Sequence, residues 1–533
     1  MTPEDAHRIL DEEILALEQR VLELRTRRNS YTHPCRLPPE LLLEIFLFLV
    51  VPFRIEEWHE ITHVCRYWRR VALEAPILWT APPPRHQAYI LLMLERSQTA
   101  DVDIRINRKT YFATVVAIFK HSTRIKTLRL FQDTRVLGYT QEELPPAGPE
   151  FSRLESLSVE NNLGRDEPFT LSTNQFRQLT SLRRLELLEI GIDWDIFPFP
   201  NLTHLNIHTW DEASIIPVQR FCRILAGMTA LENLAINMVF DESIQDNQGM
   251  STTPVQLPNL EAFELRNGHF SHIHSLLNCL SLPNLQRLEV GEEAGHELDN
   301  WNAGTSAPVI LATLENGNFG TLDSLMISGL KLTFHSKHHD LERHPLQVSL
   351  PTSPTSEATA TQFLSGLTSS TRNNTLCLTH VHLATPLRPH ELIHILGALP
   401  QLETLKISDS QTIMALPSAL NETLDYVLGP SILVPRLHSI TCCSFHWEND
   451  GFSVLTDLYH GLSQRYRDGV GVKRLRLLDC FGFPESITST LDAIGVLVYS
   501  SDNLLDSAWQ GDGTMRTAEL VGETPPSSEE RDA

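Results

Sequence analysis

From residue 120 onward one spacing recurs along the chain: apolar, two residues, apolar, one residue, apolar. It occurs as Ile125-Leu128-Leu130, Leu154-Leu157-Val159, Leu182-Leu185-Leu187, Leu202-Leu205-Ile207 and Leu231-Leu234-Ile236. It continues as Leu260-Phe263-Leu265, Leu285-Leu288-Val290, Leu322-Leu325-Ile327, Leu402-Leu405-Ile407, Leu437-Ile440-Cys442 and Val472-Leu475-Leu477, with a degraded copy at Leu376-Leu378. Pro-x-Leu introduces several of them, as in Pro200-Asn201-Leu202, Pro258-Asn259-Leu260, Pro283-Asn284-Leu285 and Pro400-Gln401-Leu402. The second and third apolar positions lie two apart, so on an extended strand they share a face. One copy buries three apolar side chains, on the order of 5–9 kcal/mol at most. Ordering the roughly 29 residues of a copy costs about 1–2 kcal/mol each in backbone entropy, so a single copy cannot stand alone. Neighbouring copies must stack and share a core.

Three stretches break the array. Residues 241–253, 291–305 and 335–361 are polar or rich in Ser, Thr and Pro and are expected to be loops or insertions. Phe221 to Leu225 and Glu391 to Leu396 are expected to supply helices between strands. Residues 500–533, ending Pro525-Pro526-Ser527-Ser528-Glu529-Glu530, are expected to be a disordered acidic tail.

The N-terminal part has a different period. Over residues 1–30, Leu10, Ile14, Leu17, Val21 and Leu24 alternate spacings of four and three, the seam of an amphipathic helix. Such a helix either packs on the next domain or self-associates weakly. Residues 34–82 form a denser helical block. Leu37-Pro38-Pro39-Glu40 starts a helix well, because proline is tolerated in the first turn and a carboxylate suits the positive end. Leu41, Leu42, Ile45, Phe46 and Leu49 then put apolar groups on more than one face, which demands cover from several sides. Trp58, Ile61, Val64, Cys65, Trp68 and Val71 continue with helical spacing, and Pro76-Ile77-Leu78-Trp79 closes the block before Pro82-Pro83-Pro84.

Charge and composition narrow the function. The formal net charge of -23 argues against sequence-independent nucleic-acid binding and against docking to an anionic membrane. The most apolar stretch, Leu41 to Phe53, is interrupted by Glu44 and too short to span a bilayer. Eight cysteines form no C-x-x-C pair, and the N-terminus shows no basic-then-apolar leader, which together fit a soluble chain in a reducing compartment. His335, His338, His339 and His344 cluster, with Asp340 and Glu342 nearby, but without the spacing of a zinc site. Cys442 and Cys443 are expected to be structural. No phosphate-binding loop, nucleophile elbow or H-E-x-x-H helix is present. The expectation is a non-enzyme without metal or cofactor.

In residues 37–46 and again in Val64-Cys65-Arg66-Tyr67-Trp68-Arg69-Arg70-Val71-Ala72 with Pro76 to Trp79, the chain resembles the two halves of an F-box, in order and at the usual distance. It is closest in flavour to fungal F-box proteins with a helix upstream of the box. The resemblance implies a box that docks a Skp-type adaptor and, through it, a cullin. Carried over by position, Leu37, Pro38, Leu41, Ile45 and Phe46 would face the adaptor, while Val64, Cys65, Trp68, Leu78 and Trp79 would hold the box together. The triplet array resembles leucine-rich repeats, although the asparagine usual after the strand is present at Asn162 and largely missing elsewhere.

The expected fold is therefore α+β and multidomain: the helix at 1–30, an all-α box at 34–82, and an irregular α/β leucine-rich repeat solenoid, a horseshoe, over 85–499. Residues flanking the second and third apolar positions would face outward, and Arg129, Glu186, His204, Asn206, Glu264, Glu289, Arg474 and Arg476 are the candidates for holding a target protein. The expected function is target recruitment for a Skp-cullin-F-box ubiquitin ligase in the cytoplasm or nucleus. The competing expectation is a ligase-independent interaction scaffold. An extracellular receptor, prompted by sequons at Asn201, Asn373 and Asn421, lacks a leader and cysteine-rich caps.

Overall fold

The computed structural model describes residues 2–50, 58–84, 86–107, 109–131, 150–161, 170–171, 179–209, 214–238, 240–241, 254–266, 270–291, 303–329, 331–336, 346–349, 363–364, 366, 376–426, 429–447 and 452–500. They fall into two compact units, Met1–Leu285 and Gln286–Ala533.

The first unit opens with α1, Pro3–Asn29, started by a Thr2 capping box with Asp5 and proline in the first turn. No residue of α1 is buried. The helical block follows as α2 (Pro39–Leu49), α3 (Ile61–Val64) and α4 (Arg66–Leu73), with short 3-10 turns at Trp58–Glu60 and Pro76–Trp79. The spacing from Trp58 to Val71 predicted one helix, but Cys65 adopts extended backbone (φ -159) and breaks it, serving as N-cap of α4 through its sulfur. Helical phase restarts at Arg66, and every inward position downstream is set afresh. The block's core is Leu42, Phe46, Trp58, Ile61, Val71, Ala72, Leu78 and Trp79, joined by Met93 of α5 (Gln87–Arg96). The Arg96 guanidinium lies 4.3 Å over the Trp79 ring. Buried Arg124 donates to Ser97 Oγ, Ala100 O and Leu94 O at 2.7–3.0 Å and so fastens the end of α5.

Next comes a parallel sheet whose strands run in sequence order: β1 (Val102–Ile106), β2 (Ile125–Phe131), β3 (Ser156–Glu160), β4 (Arg184–Leu188), β5 (His204–His208), β6 (Asn233–Asn237) and β7 (Ala262–Arg266). Helices α6 (Phe112–Phe119), α7 (Val218–Leu225) and α8 (Phe270–Cys279) lie between strands. Each predicted triplet in this unit is buried, from Leu128 at 0% exposed to Leu265 at 0%, because alternate strand residues face one side. The first strand, Val102-Asp103-Ile104-Arg105-Ile106, was not among the predicted copies. It lacks the leading apolar residue three before the pair and is seated by Asp103 N–H donating to Thr80 O at 2.9 Å.

Asn162 lies outside the described residues. The backbone around the strands is satisfied by other means. Asn201, Asn259 and Asn284 each sit in a Pro-Asn-Leu entry and donate from Nδ2 to Thr180 O, Thr229 O and Pro258 O of the preceding copy, at 2.9, 3.0 and 2.6 Å. After the strands, Glu189 N–H donates to His208 O and Thr209 N–H to Asn237 O, while the Thr209 hydroxyl donates to Ile190 O at 2.9 Å. The asparagine ladder among the described residues thus stands before the strand.

The second unit carries a mixed sheet in the order β8 (Arg287–Gly291), β11 (Leu346–Ser349), β10 (Lys331–His335), β9 (Leu322–Ser328), β12 (Leu376–Leu383), β13 (Thr404–Ile407), β14 (Ser439–Cys443), β15 (Arg474–Leu478) and β16 (Leu497–Ser500). Strands β9, β10 and β11 form an antiparallel meander, and the remaining pairs are parallel. Residues 335–361, expected to be a loop or an insertion, contribute the end of β10 and all of β11 to this meander. His335 ends β10, and Leu346 and Val348 of β11 are fully buried against the sheet. Their alternation is only four residues long, too short to stand out from Ser/Thr/Pro-rich surroundings. Similarly, the stretch read as insertion 291–305 has Gly291 in β8 and the start of α9 (Ala303–Asn316), and Asp241 of 241–253 closes a two-residue strand. The degraded copy is Leu378-Val381-Leu383 in its buried register, an intact triplet displaced by two from Leu376. The further helices are α10 (Pro389–Gly397), α11 (Ser410–Asn421), α12 (Phe452–Arg467) and α13 (Glu485–Ala493). Arg465 of α12, 1% exposed, donates to Leu433 O and Val434 O at 2.7 Å each, holding Val434 at a left-handed φ of 45. The tail falls outside the described residues.

Candidate functional site: an apolar stripe on the box and the strand faces

Helix α2 has two apolar faces. Leu42 and Phe46, four apart, point into the block and are 0% exposed. Leu41 and Ile45, also four apart, are 47% and 43% exposed, and Phe48 beyond them is 78% exposed. Leu49, Val64 and Ile77 add to the uncovered apolar surface of the block. Leu37 packs partly on the core, Tyr67 donating its hydroxyl to Leu37 O at 2.6 Å, and Pro38 is exposed.

Two expected roles are exchanged. Phe46, expected at the adaptor face, is interior: its ring meets Trp68 edge-on with centroids 5.2 Å apart. Val64, expected in the core, is 57% exposed. The reason is phase. Phe46 shares its helix side with Leu42, and Val64 is the last residue before the break at Cys65. Leu78 and Trp79 are in the core, Trp79 Nε1 donating to Ala72 O at 2.8 Å, while Trp68 is partly buried against it. Cys65 Sγ is 3.6 Å from Cys35 Sγ, and burial pushes the Cys65 thiol pKa up.

The strand faces differ between the units. In the first, parallel register sets Ser158, Glu186 and Asn206 side by side. Glu186 accepts from Ser158 Oγ at 2.8 Å and from Asn206 Nδ2 at 3.3 Å. His204 accepts at Nε2 from Asn233 Nδ2 (3.0 Å), which leaves Nδ1–H for the Thr203 hydroxyl at 2.8 Å. That arrangement needs neutral imidazole, and burial, with Arg184 nearby, lowers its pKa accordingly. Glu264 pairs with Arg266 at 2.8 Å. Arg129 has no hydrogen bond or ion pair among the described residues and stands beside Arg105, whose pKa is lowered by burial and then by Arg129.

In the second unit Glu289 accepts from Gln347 Nε2 at 2.8 Å. Farther across the sheet, register lines up His382, Lys406, Thr441, Arg476 and Tyr499. Lys406, Arg474 and Arg476 make no hydrogen bond or ion pair among the described residues. His382 bonds Ser408 Oγ at 2.8 Å, and burial, then Lys406, lowers its pKa to about 4. Of the eight residues expected to face a target, Glu186, His204, Asn206, Glu264 and Glu289 are therefore engaged within the fold. Arg129, Arg474 and Arg476 have no such partner among the described residues.

No group of three or more metal-ligating side chains occurs among the described residues. His335 lies in β10 and the other three histidines of its cluster lie outside the described residues. No helix among the described residues is long and apolar enough to cross a membrane.

A helical module with a sealed core and a second apolar stripe left uncovered thus precedes a strand-bearing region with a repeated buried triplet. An F-box-like family model matches residues 34–82, so this module is an F-box-like domain. No curated protein matches the chain.

Proposed function

We propose that this chain is the target-recruiting subunit of a Skp-cullin-F-box type ubiquitin ligase, acting in the cytoplasm or nucleus. The observation that carries the reading is the stripe of Leu41, Ile45 and Phe48 on an F-box-like domain. These side chains stay exposed after Leu42 and Phe46 have filled the core. Covering such a stripe gains roughly 25 cal/mol per Å² of apolar surface, the usual driving force for a stable interface. A Skp-type adaptor is the partner this reading assigns to it, with a cullin bound through that adaptor. The strand-bearing region reads as an irregular leucine-rich repeat solenoid, supported by the buried triplets and by the Asn201, Asn259 and Asn284 ladder. Its role is to hold a target, and Arg129, Lys406, Arg474 and Arg476, without a partner among the described residues, are the side chains most available for it.

The test is co-purification. Leu41→Asp with Ile45→Asp removes the apolar stripe without touching the core. Recovery of the Skp-type adaptor should fall by more than tenfold while the thermal unfolding midpoint stays within a few degrees. Undiminished recovery would sink the assignment.

A further inference from the structure

Helix α1 leaves a complete apolar seam without cover among the described residues. Leu10, Ile14, Leu17, Val21 and Leu24 are 53%, 54%, 60%, 45% and 51% exposed along a 27-residue helix. Written as heptads, His7, Ile14, Val21 and Arg28 occupy a, and Leu10, Leu17 and Leu24 occupy d. Ile14 and Val21 at a, with leucine at every d, make the apolar seam of a coiled coil.

The charges say what the second strand is. Residues 3–18 hold six carboxylates against one arginine, and residues 19–29 hold four arginines against one carboxylate. The helix dipole acts only within the first and last turns, so it does not account for Glu13, Glu18 or Arg20 near the middle. A parallel pair would set Glu13 against Glu18 and Arg20 against Arg25 of the other copy, like charges in both cases. An antiparallel pair with Ile14 facing Leu17 sets Glu13 against Arg20 and Glu4 against Arg25, with only Asp11 and Glu18 opposed. Arg20 currently pairs with Glu23 at 2.9 Å, but both side chains are more than half exposed, and such a bond is readily exchanged.

We propose that α1 is an antiparallel homodimerisation helix, bringing a second copy of this chain alongside the first. The dimer presents two F-box-like domains per assembly, and it does so whether or not they engage an adaptor.

Sedimentation equilibrium of the full chain from about 1 to about 100 μM tests this, with a monomer–dimer equilibrium expected inside that range. Leu17→Lys should leave a monomer with an unchanged unfolding midpoint, since no α1 residue is buried. Glu13→Arg should weaken the dimer about tenfold, and Glu13→Arg with Arg20→Glu should restore it, because each exposed pair changes sign twice. Three outcomes would overturn the proposal: a wild-type monomer throughout, a dimer that survives Leu17→Lys, or tightening by Glu13→Arg, the mark of a parallel pair.

Discussion

Helices α1 and α2 both expose leucine and isoleucine, yet for opposite reasons. In α2 the exposed Leu41 and Ile45 are a surplus: Leu42 and Phe46 on the opposite side already hold the helix in a core with Trp58, Leu78 and Trp79. In α1 nothing is buried, so tertiary packing contributes nothing to it within one chain. Its helicity rests on 27 residues of good propensity, a capping box, and i,i+3 or i,i+4 pairs such as Arg20–Glu23 and Arg8–Glu12. Exposed apolar surface therefore carries two meanings here. On α2 it is a face offered by a fixed body, and on α1 it is a seam whose order is local until a second helix arrives.

The sharpest way to break the contrast is at adjacent residues of α2. Phe46→Ala should cost about 3–5 kcal/mol, the range for emptying a buried aromatic site, read from chemical denaturation of the first unit. Ile45→Ala, one position along, should cost about 0.5 kcal/mol or less and act only on adaptor recovery. Equal effects at the two positions would mean that the helix is rotated from the orientation described. A step smaller is Trp79→Phe. It keeps most of the ring volume but strips the Nε1 donor from Ala72 O, a buried bond, and should cost about 1–2 kcal/mol. On α1, by contrast, Leu24→Ala should leave the global unfolding free energy within about 0.5 kcal/mol below the dimerisation range.

The same contrast explains what was readable from sequence. The triplets of the strand-bearing region could be read because their period is short, strict and repeated, and burial follows it almost residue for residue. The box was readable as a motif, but its sidedness was not. Carrying the resemblance over position by position puts Phe46 outward and Val64 inward, whereas Phe46 shares the buried side of α2 with Leu42 and Val64 ends α3 at the extended backbone of Cys65, which no glycine or proline announces. The strand β11 was hidden because four residues of alternation in a polar stretch carry little signal. The entry ladder was half visible. Pro-Asn-Leu was conspicuous as a spacing, but the reason for asparagine, a donor to the preceding turn's carbonyl, appears only once copies are stacked. At the strand faces, the spacing alternates Glu186 and Arg476 with the buried triplets but does not tell engaged groups from those without a partner among the described residues. Glu186 and Arg476 occupy equivalent positions, and only their neighbours make one a structural acceptor and the other an available cation.

The smallest effect tests whether α1 is held locally. Asp5 accepts from Thr2 Oγ1 at 2.7 Å and from Thr2 N–H at 3.1 Å, and these bonds lower its pKa from 3.8. Because the carboxylate form is favoured in the capped helix, the unfolded turn binds more protons between the two values. The cap's contribution is therefore complete above about pH 3.8 and is lost as pH falls through the lower, folded value. Titration of the Asp5 carboxyl by NMR should give a midpoint below 3.8, moving part of the way back in Thr2→Ala, which removes the hydroxyl donor but keeps the backbone N–H, with α1 fraying from its first turn while the α2 resonances keep their positions. If fraying of α1 instead tracked the loss of the box core, α1 would be leaning on that core after all, and the distinction between a face held by its body and a seam held by its own ends would fail.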